Sequence, residues 1–318
     1  MQIEEMAALL VQPHLEPPRK LYRIDRAGDR MYYYLDGNTP VMYPSVTTVI
    51  RNNMPTSPHL IKWIGDMGTE AAEEYRDERA AFGTFMHKTF EDYLVAKFYD
   101  LDTMEQSLVN YLRTEGLPET LAAKWLHEQQ KALLGFAQWV SDYKVKPLAI
   151  EVALASDEME VAGMVDLICE ATIEEKGYFG EVYKTGANAG QPKETKREAT
   201  VLAIVDFKSG KDFYDDHAIQ LEIYRRKWNE NFPNTPIDRI FNWSPSDWRN
   251  APSYKFKEQT NNPQLYRVDH IIEMNKAANK RRERVATVIS GKLTDNPSAC
   301  VEFIDYTNLI QRKHESKD

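Results

Sequence analysis

The sequence predicts an α/β fold with a mixed central sheet flanked by helices, and three features indicate it. A block with helical periodicity comes first, apolar runs with strand character follow it, and a further helix then precedes another strand. The strand runs lie near residues 149–155, 159–169, 200–207 and 237–243. Helices and strands in this order are typical of a sheet that is covered by helices on its faces.

The N-terminal region, residues 1–145, is expected to be a hairpin and helical elaboration of that core. The segment Leu21 to Asp36 predicts a β-hairpin, because alternating apolar residues end at Asp36-Gly37. Ser45 is a good N-cap residue and predicts a short helix after it. The helical periodicity that follows is strongest at Glu70 to Tyr99 and Leu117 to Tyr143.

The remaining residues, 146–318, are expected to hold the sheet and a C-terminal helical region, together forming one compact unit with residues 1–145. A polar insertion at about 173–199 separates two of the strands and contains Gly, Asn, Lys and Pro. This composition predicts a flexible loop or a hairpin, and the sequence does not choose between them.

Composition limits the class of protein. The chain has 318 residues, a hydrophobic content of 42% and a formal net charge of −9, so it can bury a sizeable core. The negative charge disfavours a protein that coats nucleic acid nonspecifically. With two cysteines, no apolar run long enough for a bilayer and no basic start typical of a signal peptide, we expect a cytoplasmic protein without a membrane partner.

The most informative segment joins an acid and a lysine at the end of a strand. Asp206 and Lys208 follow the apolar run Val201 to Val205, and residues two apart on a strand point to the same face. Asp166 closes another apolar run upstream. Carboxylates hold Mg²⁺ or Mn²⁺, and a nearby lysine can orient the water that attacks a phosphodiester. The alternative is an ordinary ion pair at a strand end.

Two helical segments accompany these strands. Gly83 and His87 are four residues apart upstream, and Gln220 and Tyr224 are four residues apart downstream, so each pair shares a helical face. Alone, His87 would be a hydrogen-bonded helix histidine, and the later pair would be ordinary amphipathic-helix residues. Basic residues also lie near the motifs and could give a cleft local positive charge or face solvent: Lys208, Lys211, Arg225, Arg226 and Lys227.

The order Gly-x-x-x-His, Gly-x-x-Asp, Asp-x-Lys and Gln-x-x-x-Tyr resembles the RecB-type branch of the PD-(D/E)XK nuclease superfamily. The similarity runs from about Pro44 to Tyr224 and implies a restriction-endonuclease-like core. It implies Asp166, Asp206 and Lys208 as catalytic residues and His87 with both aspartates as metal ligands. It also implies that the helix with Gln220 and Tyr224 contacts the substrate. Many superfamily members have Glu where this chain has Asp206.

Three further residues enter through the same resemblance. The opening Pro-Ser-Val-Thr is similar to that of nucleases related to the mitochondrial genome maintenance exonuclease, including phage and CRISPR-associated enzymes. It implies that Ser45 and Thr47 bind a substrate phosphate, although a capped helix without a ligand explains them equally well. Glu151 opens a strand where the family often has an acid near the metals, and its alternative is a solvated strand end.

The resemblance implies a metal-dependent deoxyribonuclease. Cys169 and Cys300 cannot supply the four ligands of the iron–sulfur cluster found in several relatives, so Mg²⁺ or Mn²⁺ is the expected cofactor. An exonuclease acting on DNA ends or single strands is preferred, in replication, recombination or repair, with a phage as the suggested setting. Separate replication or recombination proteins are expected partners. The alternatives are a nucleic-acid-binding module that has lost catalysis and a structure-specific endonuclease.

Overall fold

The structure is a computed structural model that describes residues 17–26, 29–37, 39–210, 212–285, 287–290 and 302–305. The chain divides into two units by its internal contacts. The described parts of the first unit are mainly Thr56–Val152 and Met164–Leu265, and those of the second lie within Pro18–Pro55, Ala153–Gly163 and the chain from Tyr266 onward. The boundary expected at residues 145/146 falls inside the first unit.

A five-stranded mixed sheet is the largest sheet in the described residues. Its strands, in spatial order, are β4 (Lys146–Ser156), β5 (Val161–Val182), β6 (Pro192–Phe207), β7 (Arg239–Pro245) and β8 (Tyr254–Glu258). The pairs β5–β6 and β7–β8 are antiparallel, whereas β6 and β7 are parallel. A parallel pair needs a crossover connection, which a helix between β6 and β7 supplies. The prediction of a mixed sheet flanked by helices is confirmed.

The helices follow the predicted periodicity with different ends. They are α1 (Val46–Asn53), α2 (Pro58–Met67), α3 (Thr69–Ala96), α4 (Met104–Thr114), α5 (Ala122–Asp142), α6 (Asp215–Asn231) and α7 (Arg267–Val285). Among the described residues, none of the helices is long and apolar enough to cross a membrane.

Aromatic packing joins α3 and α5 to the sheet in the core of the first unit. The rings of Phe90 on α3 and Phe136 on α5 stack with centroids 4.0 Å apart. Both rings meet Trp243 of β7 edge to face, at 5.0 and 5.4 Å, and both also contact Phe207 at the end of β6. Burial of these large rings fixes α3 beside the ends of β6 and β7.

The polar insertion is a β-hairpin arm, so the hairpin alternative is the one observed. Strands β5 and β6 stay paired from Leu167 opposite Val205 out to Tyr178 opposite Glu194, and the pairing resumes beyond a bulge at Val182. The arm is exposed, and Tyr178 retains 71% of its accessible surface. A two-stranded arm with solvent around it does not need alternating apolar residues, which explains why its strands lack that pattern.

The second unit contains the predicted N-terminal hairpin. Strands β1 (Tyr22–Arg26), β2 (Asp29–Asp36) and β3 (Thr39–Pro44) form an antiparallel sheet, so the hairpin gains a third strand. The backbone of the unit also includes a short antiparallel pair, β9 (Thr287–Ser290) with β10 (Glu302–Asp305).

Candidate active site

The two predicted aspartates lie side by side on β5 and β6. The sequence suggested that Asp166 closes an apolar run, but β5 continues beyond it to Val182. Leu167 pairs with Val205 in the antiparallel register, which puts Asp166 and Asp206 beside each other. Oδ2 of Asp166 accepts a hydrogen bond of 2.7 Å from the backbone N–H of Phe207. Asp206 is only 2% exposed. The sheet therefore brings the two acids together in a buried position.

His87 and Glu151 complete a group of potential ligands with Asp166. Nδ1 of His87 lies 3.4 Å from Oε1 of Glu151 and 3.8 Å from Oδ1 of Asp166. One ligand atom from each of the three residues lies within 4.8 Å of the other two. Nε2 of His87 lies 3.1 Å from the carbonyl oxygen of Phe207. Because a carbonyl only accepts, Nε2 carries the hydrogen and Nδ1 faces the carboxylates.

The backbone of Glu151 is unusual. Its φ angle is +48°, a left-handed conformation that costs a residue with a β-carbon roughly 1–2 kcal/mol. The residue interrupts the regular alternation of β4 and turns its carboxylate toward His87. Backbone strain of this kind is often found at functional sites.

Gly83 allows α3 to approach the loop after β6. A β-carbon at this position would lie 3.3 Å from Oγ of Ser209, which is tighter than an ordinary van der Waals contact. Gly83 lies one helical turn before His87, so the same face of α3 provides the close approach and the imidazole. The predicted shared face of Gly83 and His87 thus has a packing reason.

Lys208 connects the acids to the helix α6. Its Nζ lies 2.9 Å from Oδ2 and 3.1 Å from Oδ1 of Asp206, and it donates to Oε1 of Gln220 at 2.9 Å. Nε2 of Gln220 donates in turn to the hydroxyl of Tyr224 at 2.8 Å. Gln220 and Tyr224 are nearly buried, and their hydrogen bonds hold Lys208. Contact of either residue with a substrate stays a prediction.

The pKa values show that buried negative charge is crowded at the site. Burial raises the pKa of Asp206 to about 6, although Lys208 opposes this shift, and burial likewise raises the pKa of Asp166. Burial would lower the pKa of His87, but the charges of Asp166 and Glu151 outweigh it and raise that pKa to about 9. The site has three carboxyl groups, one imidazole and one lysine ammonium. Such a set of side chains could hold a divalent cation.

Two residues near the site were not predicted from the sequence. Asn242 of β7 donates from Nδ2 to Oδ2 of Asp206 at 2.8 Å. The only signal in the sequence was a polar residue inside the apolar run of β7. His217 precedes Gln220 by three residues, on the same helical face. Burial, helped by the charge of Lys208, lowers the pKa of His217 to about 3, so its imidazole is neutral at ordinary pH.

Ser45 and Thr47 belong to the second unit. Oγ of Ser45 accepts the N–H of Thr48 at 3.0 Å, as an N-cap of α1 does, and lies 2.9 Å from Oγ1 of Thr47. The predicted cap is confirmed. The contact of these hydroxyls with a phosphate stays a prediction.

The expected patch of basic residues is only partly exposed. Lys227 is fully buried, and this burial lowers its pKa well below the ordinary value, so neither the cleft nor the solvent interpretation fits it. The guanidinium groups of Arg225 and Arg226 lie 2.8 and 3.0 Å from the carboxylate of Glu222. Lys211 lies outside the described residues.

No protein-family profile matches the chain, and a search of curated proteins finds no significant match. The functional interpretation is therefore supported by the motifs and by the geometry of the site.

Proposed function

We propose that this chain is a Mg²⁺- or Mn²⁺-dependent DNA nuclease of the RecB-type branch of the PD-(D/E)XK superfamily. The observation that carries the proposal is the group of possible ligands formed by His87, Glu151 and Asp166, with Asp206 beside Asp166 on the neighbouring strand and Lys208 bonded to Asp206. These residues are distant in sequence, and each type suits one part of phosphodiester hydrolysis.

The donor set fits a hard divalent cation. Carboxylate oxygens suit Mg²⁺ and Mn²⁺, and a single imidazole is compatible with Mn²⁺. The two aspartates are buried, and burial raises the pKa of each, so a cation bound beside them would compensate for the hydration that their charged forms lack. When bound, the cation would offset the charge of the phosphate and lower the pKa of a coordinated water. His87, Glu151, Asp166 and Asp206 would hold it.

Lys208 has the central role in the proposed reaction. A water attacks the phosphorus atom, the bond to one ester oxygen breaks, and that oxygen leaves with a proton. Held between Asp206 and Gln220 at 2.9 Å from each, the lysine ammonium can orient the water and balance the negative charge of the transition state. The hydroxyl of Tyr224 acts through Gln220, because it receives the amide hydrogen of that residue.

The substrate and the mode of cleavage follow from the resemblance. DNA is the proposed substrate, and an exonuclease acting on ends or single-stranded segments is preferred. Replication, recombination or repair is the proposed setting, in a phage-infected or bacterial cytoplasm.

Cleavage of three forms of DNA tests the proposal. End-labelled single strands, linear duplex and covalently closed circles are incubated with Mg²⁺, Mn²⁺ or EDTA, with Asp166→Ala beside the wild type. An exonuclease degrades linear DNA only with metal and spares the circles. Cutting of the circles would instead indicate an endonuclease. Binding without cleavage under every condition would favour a nucleic-acid-binding module.

A further inference from the structure

A series of hydrogen bonds connects Asp206 to the backbone after β8. Asn242 Nδ2 donates to Asp206 Oδ2 at 2.8 Å, and Gln259 Nε2 donates to Asn242 Oδ1 at 3.0 Å. Asn262 Nδ2 donates to Gln259 Oε1 at 2.7 Å, and the backbone N–H of Gln264 donates to Asn262 Oδ1 at 2.9 Å. We call the side chains of Asn242, Gln259 and Asn262 the amide chain.

The amide chain starts inside the protein. Asn242 is opposite Asp206 in the parallel register of β6 and β7, between the apolar residues Phe241 and Trp243, and it has no exposed surface. Gln259 is also buried. Burying an amide is costly unless its hydrogen bonds are made, and an apolar side chain would fill the position of Asn242 without that demand. The hydrogen bond that Asn242 donates to Asp206 explains why this buried position holds a polar residue.

Every hydrogen bond in the amide chain points the same way, toward Asp206. A carboxylate can only accept, which requires the amino group of Asn242 to face Asp206. This orientation leaves the Asn242 oxygen to accept from Gln259, and the same logic continues to Asn262. The far end is fixed by a backbone N–H, which can only donate. Hydrogen bonds aligned in this way polarise and strengthen one another.

We propose that Asn242 and Gln259 are positioning residues that fix the Asp206 carboxylate for the divalent cation. Asn242 binds Oδ2 and thereby sets the rotation of the carboxylate about its χ2 angle, and Gln259 holds Asn242 in the donating orientation. This inference rests on the proposed metal-dependent function. Residues that orient metal ligands commonly change metal affinity by about 10–100-fold when they are removed.

The amide chain is separate from the residues that hold the lysine. Lys208 is held by Gln220 and Tyr224 of α6, whereas the amide chain comes from β7 and the segment after β8. Among the hydrogen bonds of the described residues, the two sets meet at Asp206. Loss of the amide chain therefore changes the affinity for metal, while the contact between Lys208 and Gln220 remains.

The test is the affinity of the full chain for Mn²⁺ in the absence of DNA, measured by calorimetry well below the unfolding temperature. Asn242→Leu keeps the number and branching of the side-chain heavy atoms and lacks both hydrogen-bonding groups. We expect it to weaken Mn²⁺ binding about tenfold or more, and Gln259→Leu to weaken it by a smaller factor. The double variant should bind like Asn242→Leu alone, because both residues act through one contact.

Gln129→Leu is the matched control. Gln129 of α5 is a fully buried amide of the same unit, and neither of its side-chain polar atoms has a hydrogen-bond partner among the described residues. We expect its Mn²⁺ affinity to equal that of the wild type. This control separates a general effect of removing a buried amide from an effect on Asp206.

The outcomes distinguish this inference from the proposed function. Folded Asn242→Leu that binds Mn²⁺ as tightly as the wild type would overturn the inference. If that variant does not fold, unchanged affinity in Gln259→Leu would overturn it. Weakened Mn²⁺ binding in these variants, with a wild type that cuts no DNA, would support the amide chain and reject the nuclease. A wild type that binds no Mn²⁺ would reject both.

Discussion

Asp206→Asn should stabilise the metal-free protein, because the wild type buries a carboxylate there. The pKa of Asp206 rises from 3.8 to about 6 in the folded chain, mainly through burial. The folded-state value lies above the unfolded-state value, so stability present below pH 3.8 is lost as the pH rises through about 6. A shift of about two pKa units corresponds to about 3 kcal/mol at pH 7 and to roughly half of that at pH 5.

Asparagine keeps two of the three hydrogen bonds that Asp206 accepts. Its oxygen at the Oδ2 position can accept from both Asn242 and Lys208, which lie 2.8 and 2.9 Å from that atom. Its amino group takes the Oδ1 position, 3.1 Å from Lys208 Nζ, where two donors face each other, and this contact reduces the gain. The expected gain in the free energy of unfolding is up to about 3 kcal/mol at pH 7.

Denaturant unfolding in EDTA measures this gain at both pH values. We expect Asp206→Asn to be more stable than the wild type at pH 7, with about half of the advantage at pH 5. A variant that is less stable at pH 7, or whose advantage is the same at both pH values, would refute the reasoning.

Three other predictions concern the same site. Lys208→Ala should abolish cleavage while folding and DNA binding persist, whereas Lys88→Ala, which removes an exposed lysine of α3, should cut normally; a wild-type rate in Lys208→Ala would exclude the lysine from the mechanism. In Gly83→Ala, the close contact of the β-carbon with Ser209 Oγ at 3.3 Å should offset most of the roughly 0.5–1 kcal/mol that alanine gains over glycine in a helix interior. Adding Ser209→Ala should restore that gain in thermal unfolding, and no increase would place the strain elsewhere. Mn²⁺ affinity should rise about tenfold per pH unit below the His87 pKa of about 9, because Nδ1 must lose a proton to bind metal; calorimetry showing no proton release would contradict this.

The sequence was sufficient to predict the acids and the lysine of the site. Asp206 is one residue before the end of β6, as predicted, whereas Asp166 lies inside β5, because the apolar run continues at Leu167. Lys208 follows Asp206 by two residues and shares its face. The helical periodicity around His87 does not show that α3 packs beside the end of β6. The position of His87 at the site was predicted from the order of the motifs.

The contribution of Glu151 depends on backbone geometry that its residue type does not dictate. Its φ of +48° is uncommon for a residue with a β-carbon. A regular strand would have given the carboxylate a different direction, so the sequence left its role open.

The amide chain depends on tertiary contacts. Asn242 and Gln259 are 17 residues apart, and Asn242 is 36 residues from Asp206. Only the pairing of β6 with β7, and of β7 with β8, brings them into one line. Lys227 also depends on tertiary contacts. Its charge predicted an exposed residue, but the packing of α6 buries it.

The most direct test of the account is metal-dependent cleavage by the wild type and by Asp206→Asn under the same conditions. The account predicts that the wild type degrades linear DNA with Mn²⁺ or Mg²⁺ but not with EDTA, and that the more stable variant does not degrade it. Cleavage by Asp206→Asn at the wild-type rate, or no cleavage by the wild type with either metal, would contradict it.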